Sequence, residues 1–154
     1  MATIDIDIDM SVLKKKLKAT EDKIKQGVEN GLRELASEMK IHEQRLIEKR
    51  TGHGEYKPTG YLKHSVWIMP IEWSPYGASI TVTNVAKYAL YAELGTGIYA
   101  SDGNGREDGW VYQIAPNEFR FTRGLPPKYY VRDTRDFYED KAITFIEKNI
   151  QRLL

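Results

Sequence analysis

Val66-Trp67-Ile68-Met69-Pro70-Ile71-Glu72-Trp73, then Ser74-Pro75-Tyr76-Gly77, then Ala78-Ser79-Ile80-Thr81-Val82-Thr83-Asn84, is the stretch that decides the fold. The first arm is apolar on both faces, with Trp67, Met69, Ile71 and Trp73 opposed to Val66 and Ile68. That is the pattern of a central strand covered from two sides. Ser74 to Gly77 carries proline at the second turn position and glycine at the fourth. The second arm alternates, Ala78, Ile80 and Val82 inward and Ser79, Thr81 and Thr83 outward. The two arms and their turn predict a β-hairpin.

Upstream of the hairpin the period changes. Ile24, Val28, Leu32 (or Gly31), Leu35, Met39 and Leu46 recur every three or four residues, which predicts an amphipathic helix from Thr20 to about Lys49. Glu21 and Asp22 favour its first turn. At 1.5 Å per residue it extends about 45 Å, more than a domain of this size covers, so part of its stripe is expected to meet a neighbouring subunit. Before it, Ser11 is expected to cap a short helical turn through Leu17, with Lys14, Lys15, Lys16 and Lys18 on a solvated face. Thr3 to Asp9 alternates strictly between isoleucine and aspartate, the mark of a half-buried strand with an acidic outer edge. Asp5-x-Asp7-x-Asp9 is not a calcium loop, because Met10 and Lys16 stand where that loop needs glycine and glutamate. Thr51 to Gly60 is rich in glycine and reads as a loop.

Downstream, Tyr88-Ala-Leu-Tyr-Ala-Glu-Leu-Gly-Thr-Gly97 predicts a short helix. Asn84 is a candidate N-cap and Gly95 a candidate C-cap. Tyr88, Tyr91, Ala92 and Gly95 fall on one side, two rings beside two very small residues, a surface that a large neighbour can approach closely. Glu93 lies in the last turn, where the helix dipole disfavours a carboxylate, so a cationic partner is expected. Ile98 to Asp108 reads as a long loop. Trp110 to Ile114 and Glu118 to Thr122 read as two strands turning at Ala115-Pro116-Asn117. From about Val131 a last helix carries the stripe Tyr138, Ala142, Phe145, Ile146, Ile150 and Leu153, which is expected to dock on a sheet or a partner.

The 154 residues are the size of one domain, here 1–154 with long loops at about 50–60 and 95–108. The absence of cysteine excludes disulfide scaffolds, thiolate metal sites and thiol catalysis. A net charge of +1 removes the simplest argument for a dedicated nucleic-acid binder. No apolar run approaches the ~18–20 residues that span a bilayer, and the first residues lack the regions of a signal peptide, so a soluble intracellular domain is expected.

No catalytic constellation is found. His42-Glu43-Gln44-Arg45-Leu46 lacks the second histidine of a zinc-protease helix, and His42 reads as a surface or boundary residue. His53 is alone in its loop. His64 and Ser65 are adjacent, which is not a nucleophile–base arrangement. The glycines 103, 105 and 109 are not followed by a helix and form no dinucleotide loop. The expectation is no enzyme, no cofactor and no metal. The expected fold is α+β, a single domain. An antiparallel or mixed sheet of about four to five strands is packed by a long N-terminal helix, a short middle helix and a C-terminal helix.

Several stretches taken in order resemble one family. Pro58-Thr59-Gly60-Tyr61-Leu62-Lys63-His64-Ser65-Val66 is similar to its Thr-Gly-x-Leu-x-x-Ser turn. Tyr88 to Gly97 resembles its Tyr-Ala-x-Tyr-x-Glu-x-Gly-Thr-Gly segment. Gly109-Trp110-Val111-Tyr112 and Phe121-Thr122-Arg123-Gly124 resemble the stretch after its variable loop. The family is the tail-component, tail-completion or head–tail neck proteins of long-tailed bacteriophages. Two features depart from it. Tyr129-Tyr130-Val131-Arg132-Asp133-Thr134 lacks the two prolines usual before the last helix, and Pro58 replaces an aspartate.

The resemblance implies a non-catalytic virion subunit, assembled in the host cytoplasm, that forms a ring at the head–tail junction, commonly six-fold. Its neighbours would be its own copies, the head-connector or stopper proteins, and a tail terminator or tail-tube protein, with genomic DNA passing through the lumen. A tail terminator ring is the nearest alternative, and a nucleic-acid-binding accessory protein using Lys14–Lys18, Arg120 and Arg123 the next. The candidate subunit-interface residues are Tyr88, Tyr91, Ala92, Glu93, Gly95, Trp110, Tyr112 and Tyr130. The candidate DNA-facing residues are Lys14, Lys15, Lys16 and Lys18.

Overall fold

One helix carries the architecture. In the computed structural model, which describes residues 10–52 and 59–154, α1 runs from Met10 to Arg50 without a break, 41 residues or about 60 Å. The expected break between Leu17 and Thr20 is absent. No proline or glycine interrupts the chain there, and Thr20 does not cap a new helix but donates its hydroxyl to the Lys16 carbonyl at 3.0 Å. Every residue from Lys15 to Gln26 is exposed, and burial starts at Gly27. From Lys15 to Gln26 α1 thus projects with its side chains exposed, Lys25 Nζ lying 4.8 Å from the centre of the Trp73 ring. The strand expected at Thr3–Asp9, and His53 and Pro58, lie outside the described residues.

The remainder of α1 is covered in two places. Near its middle lies α5 (Ala142–Gln151), reached through α4 (Tyr130–Tyr138) and a 3-10 turn at Glu139–Lys141. The apolar stripe of the last helix thus docks on α1 and not on a sheet. Gly27 and Gly31, one turn apart, make the close approach possible. A Cβ on Gly31 would lie 2.7 Å from the Ile146 Cα, and one on Gly27 2.7 Å from the Ile150 Cα. Beside this seam Glu34 accepts hydrogen bonds from Asn149 Nδ2 at 2.7 Å and Lys148 Nζ at 3.1 Å. Those two donors, Asn149 foremost, hold the Glu34 carboxyl below the usual carboxylate range.

Near its C-terminal end α1 packs on the short elements. These are α2 (Tyr61–His64) and strands β1 (Val66–Ile68) and β4 (Val82–Asn84), with α3 (Ala89–Leu94) following β4, whereas β2 (Glu72–Ser74) and β3 (Gly77–Ser79) lie farther back along α1, where the Trp73 indole reaches Glu29. Val66 to Trp73 is not one central strand. Pro70 has no N–H to give a ladder, so the chain leaves the sheet after Ile68 and re-forms as β2, with Trp67 57 % and Trp73 43 % exposed. The hairpin itself is present, antiparallel throughout, with Val66 opposite Asn84 and Ser74 opposite Gly77. Farther on, β5 (Trp110–Ala115) and β6 (Glu118–Thr122) form a second hairpin with a register shift between Gln113 and Ala115. The described strands pair two by two, in three ribbons, where one sheet of four to five strands was expected. The fold is α+β, a single small domain.

The core gathers where α1, β1, α3 and α4 meet: Ile47, Leu62, Val66, Ala86, Ala89 and Tyr130. Among the described residues no helix is long and apolar enough to cross a membrane.

Candidate functional site

The Tyr88–Gly97 segment has one side fixed and one side open. Its helix, α3, begins at Ala89 with Tyr88 in the N-cap position. Asn84 is not the cap. It closes the β4–α3 turn by accepting the Ala86 N–H at 3.1 Å and donating Nδ2 to the Leu62 carbonyl at 2.8 Å. Ala89 and Glu93 face inward and are buried, whereas Leu90 and Tyr91 are 63 % and 62 % exposed.

Among the described residues the partners of the Glu93 carboxylate are backbone donors, where a cation was expected. Its Oε2 accepts the Val131 N–H and its Oε1 the Arg132 N–H, both at 2.9 Å. The carboxylate therefore satisfies the second and third backbone donors of α4, which has no capping side chain of its own because Tyr129 stands at its N-cap. A negative charge at a helix N-terminus is favoured by the macrodipole. The main chain completes the clasp: Lys128 N–H donates to the Ala92 carbonyl at 2.9 Å, and Tyr129 N–H to the Glu93 carbonyl at 3.2 Å. Arg50, at the end of α1, donates to the Lys128 and Tyr129 carbonyls and pairs with Asp133 at 2.8 Å. The positive φ of Tyr129, 48°, turns the chain into α4.

Two further groups complete this interior. Tyr130 is fully buried and donates its hydroxyl to the Ala89 carbonyl at 2.8 Å. Burial raises its pKa, with Glu93 and Glu43 adding to the rise. Glu43, from α1, is 2 % exposed, and its Oε1 has no hydrogen-bond partner. Burial first, and the Glu93 charge second, push the Glu43 carboxyl up to about 7.

The glycines around α3 follow from backbone crossing. Thr96 N–H donates to the Leu125 carbonyl at 2.9 Å and Ile98 N–H to the Arg123 carbonyl at 3.0 Å. A Cβ on Gly97 would collide with the Arg123 carbonyl, and one on Gly124 with the Thr96 carbonyl. The Gly95-Thr96-Gly97 and Arg123-Gly124 stretches are thus two halves of one contact.

The eight candidate interface residues separate accordingly. Tyr88, Tyr91 and Tyr112 are exposed, and Ala92 and Trp110 half-buried. Glu93, Gly95 and Tyr130 are buried within the subunit, so the interface role expected of them is corrected to internal packing and capping. Lys15, Lys16 and Lys18 are exposed on the projecting part of α1; the Lys14 side chain lies outside the described residues. Trp110 and Tyr112 sit on β5, well separated in sequence from the α3 face. Sequence reasoning missed Glu43, whose position beside Ile47 on the buried face of α1 was the available signal.

Little here resembles an active site. His42 is the boundary residue expected, its Nδ1 3.1 Å from Thr134 Oγ1 and its ring stacked on Phe137 at 4.7 Å. Burial, then the charges of Lys141, Arg45 and Arg50, lowers its pKa. Ser65 is buried and donates its hydroxyl to the Tyr61 carbonyl at 2.7 Å. An open groove of about 630 Å³ runs between α1 and the Ile68–Trp73 segment, but its one carboxylate, Glu29, accepts the Trp73 indole N–H at 3.0 Å. Among the described residues no cluster of three or more histidines and carboxylates has metal-ligand geometry.

Comparison with known proteins brings no family model, no curated protein and no solved structure that matches the chain.

Proposed function

We propose that this chain is a non-enzymatic structural subunit of a phage head–tail junction. In this reading its copies close into a ring, six-fold by resemblance, around the DNA channel, between the head connector and the tail. The observation that carries it is the amount of surface left uncovered. The chain exposes 11853 Å², against roughly 8000 Å² for a compact monomer of its mass. Setting aside roughly 160 Å², the full surface of an average residue, for each residue outside the described ones still leaves well over 1000 Å² of that excess. A ring subunit has two interfaces to fill, at roughly 800 Å² per partner each.

The chemistry of the uncovered residues supports the same reading. Leu90, Tyr91, Trp67, Phe119 and Phe121 are all more than half exposed, the aromatic and aliphatic composition of an interface core. The segment resembling the family's Tyr-Ala-x-Tyr-x-Glu motif divides its labour in a way that suits an assembling subunit. Glu93 fixes the element from inside while Tyr91 stays outside.

The test is oligomeric state combined with incorporation. The purified chain is expected to sediment as a closed oligomer, alone or with a neighbouring virion protein, and to enter particles when supplied to a lysate deficient in it. A strictly monomeric chain that also fails to enter particles overturns the proposal. Particles that carry it at the tail terminator position favour the alternative ring.

A further inference from the structure

We propose that the projecting part of α1 from one copy lies along the β5–β6 ribbon of the next and makes part of the ring contact; this rests on the ring reading above. Both surfaces present exposed apolar side chains. On α1, Leu17 and Ile24 are seven residues apart, hence on the same side of the helix, and are 62 % and 41 % exposed. Both lie on the N-terminal side of Gly27, which packs on Ile150 of α5. On the ribbon, Val111 pairs with Phe121 and Gln113 with Phe119, so these side chains share one face. Val111, Phe119 and Phe121 are each 62 % exposed. An isolated two-stranded ribbon is marginal in water and needs a packing partner.

Length and charge select the occupant. The exposed stretch Lys15–Gln26 spans about 18 Å of helix, and the six residues of β5 about 20 Å. Lys15, Lys16, Lys18, Lys23 and Lys25 stand against Glu21 and Asp22 on the helix, all exposed. Between Gly97 and Phe119, Asp102, Glu107, Asp108 and Glu118 stand exposed against Arg106 alone. Arg120 lies on the other face of the ribbon, opposite Tyr112, and Arg123 lies beyond the end of β6. A basic helix with an aliphatic stripe thus meets an apolar face with carboxylates at both ends, and lysine stems are suited to cover aromatic rings. The two patches differ, so the contact is heterologous. Repeated copy to copy it closes a ring.

The chain has no cysteine, so thiol crosslinking reports this contact without background. Full-length Leu17→Cys and full-length Phe119→Cys are prepared separately, checked for parent-like circular dichroism, mixed, and treated with a short bismaleimide. The expected result is a crosslinked dimer in the mixture and none in either variant alone, with the yield reduced at least fivefold by Lys15→Glu, Lys16→Glu and Lys18→Glu together. Self-crosslinking of Leu17→Cys alone shows a two-fold helix pair and overturns the contact. An oligomer that persists with no crosslink in the mixture overturns the contact and leaves the ring reading standing. A monomer under all conditions removes both. If lysine reversal abolishes binding to duplex DNA and leaves the crosslink yield unchanged, the lysines serve nucleic acid and the charge pairing is wrong.

Discussion

Glu93 holds the first turn of α4 from 39 residues away, its Oε1 accepting the Arg132 N–H at 2.9 Å, while its Oε2 takes the neighbouring Val131 N–H. Removing the carboxylate leaves two part-buried helix donors without that partner. Glu93→Ala is therefore expected to cost roughly 2–4 kcal/mol of stability, read by urea denaturation. Glu93→Gln, which keeps one carbonyl oxygen and no charge, is expected to fall between the two. A loss under about 0.5 kcal/mol for the alanine variant, within the range of ordinary surface substitutions, removes the capping account.

Glu43 makes stability depend on pH. Its carboxyl titrates at about 7 in the folded chain, above its ordinary value of 4.5, so the folded state binds this proton more tightly than the unfolded state. The associated stability is complete below about pH 4.5 and is lost as pH rises through 7. Glu43→Gln removes the penalty of ionising a buried group. It is expected to exceed the parent by roughly 1–3 kcal/mol at pH 8, with the difference vanishing near pH 4.5. Chemical denaturation of both chains across that window measures it, and a pH-independent difference contradicts it.

Gly31→Ala reverses a common expectation. In an exposed helix interior the change stabilises by up to about 1 kcal/mol. Here the new methyl would meet the Ile146 Cα at 2.7 Å and the Phe145 carbonyl at 2.9 Å, both main-chain atoms that cannot swing aside. The variant is expected to lose roughly 1–3 kcal/mol as α5 is pushed off α1. A gain in thermal midpoint contradicts the close packing of the two helices.

Tyr91 is 62 % exposed, and Tyr91→Ala is expected to shift stability by less than about 0.5 kcal/mol while weakening assembly at least tenfold. Sedimentation across a concentration series, run beside thermal denaturation, separates the two effects. Parallel losses in both would return this residue to ordinary core packing.

Local patterns in this chain were legible and distant partners were not. The period of two over Ala78–Thr83 and the turn at Ser74–Gly77 are local properties, and the first hairpin stands where they place it. Where a cationic partner was expected for Glu93, within the chain or across a subunit boundary, a helix N-terminus 38 residues away attracts its carboxylate as a cation does. A signal existed: no serine, threonine, asparagine or aspartate immediately precedes α4, so its cap had to come from elsewhere. Pro70 carried the strand break in plain view, yet apolar residues on both sides of it read as one strand. Gly27 and Gly31, one turn apart in an amphipathic helix, marked the α5 seam, but spacing alone cannot name the helix that fills it.

The central claim is a ring subunit at the head–tail junction, and its most direct measurement is electron microscopy of particles assembled with this chain carrying a label. The account predicts a closed ring of labelled copies around the channel between head and tail. Labelled copies along the tail tube or in the capsid shell, or intact particles that contain none, would contradict it.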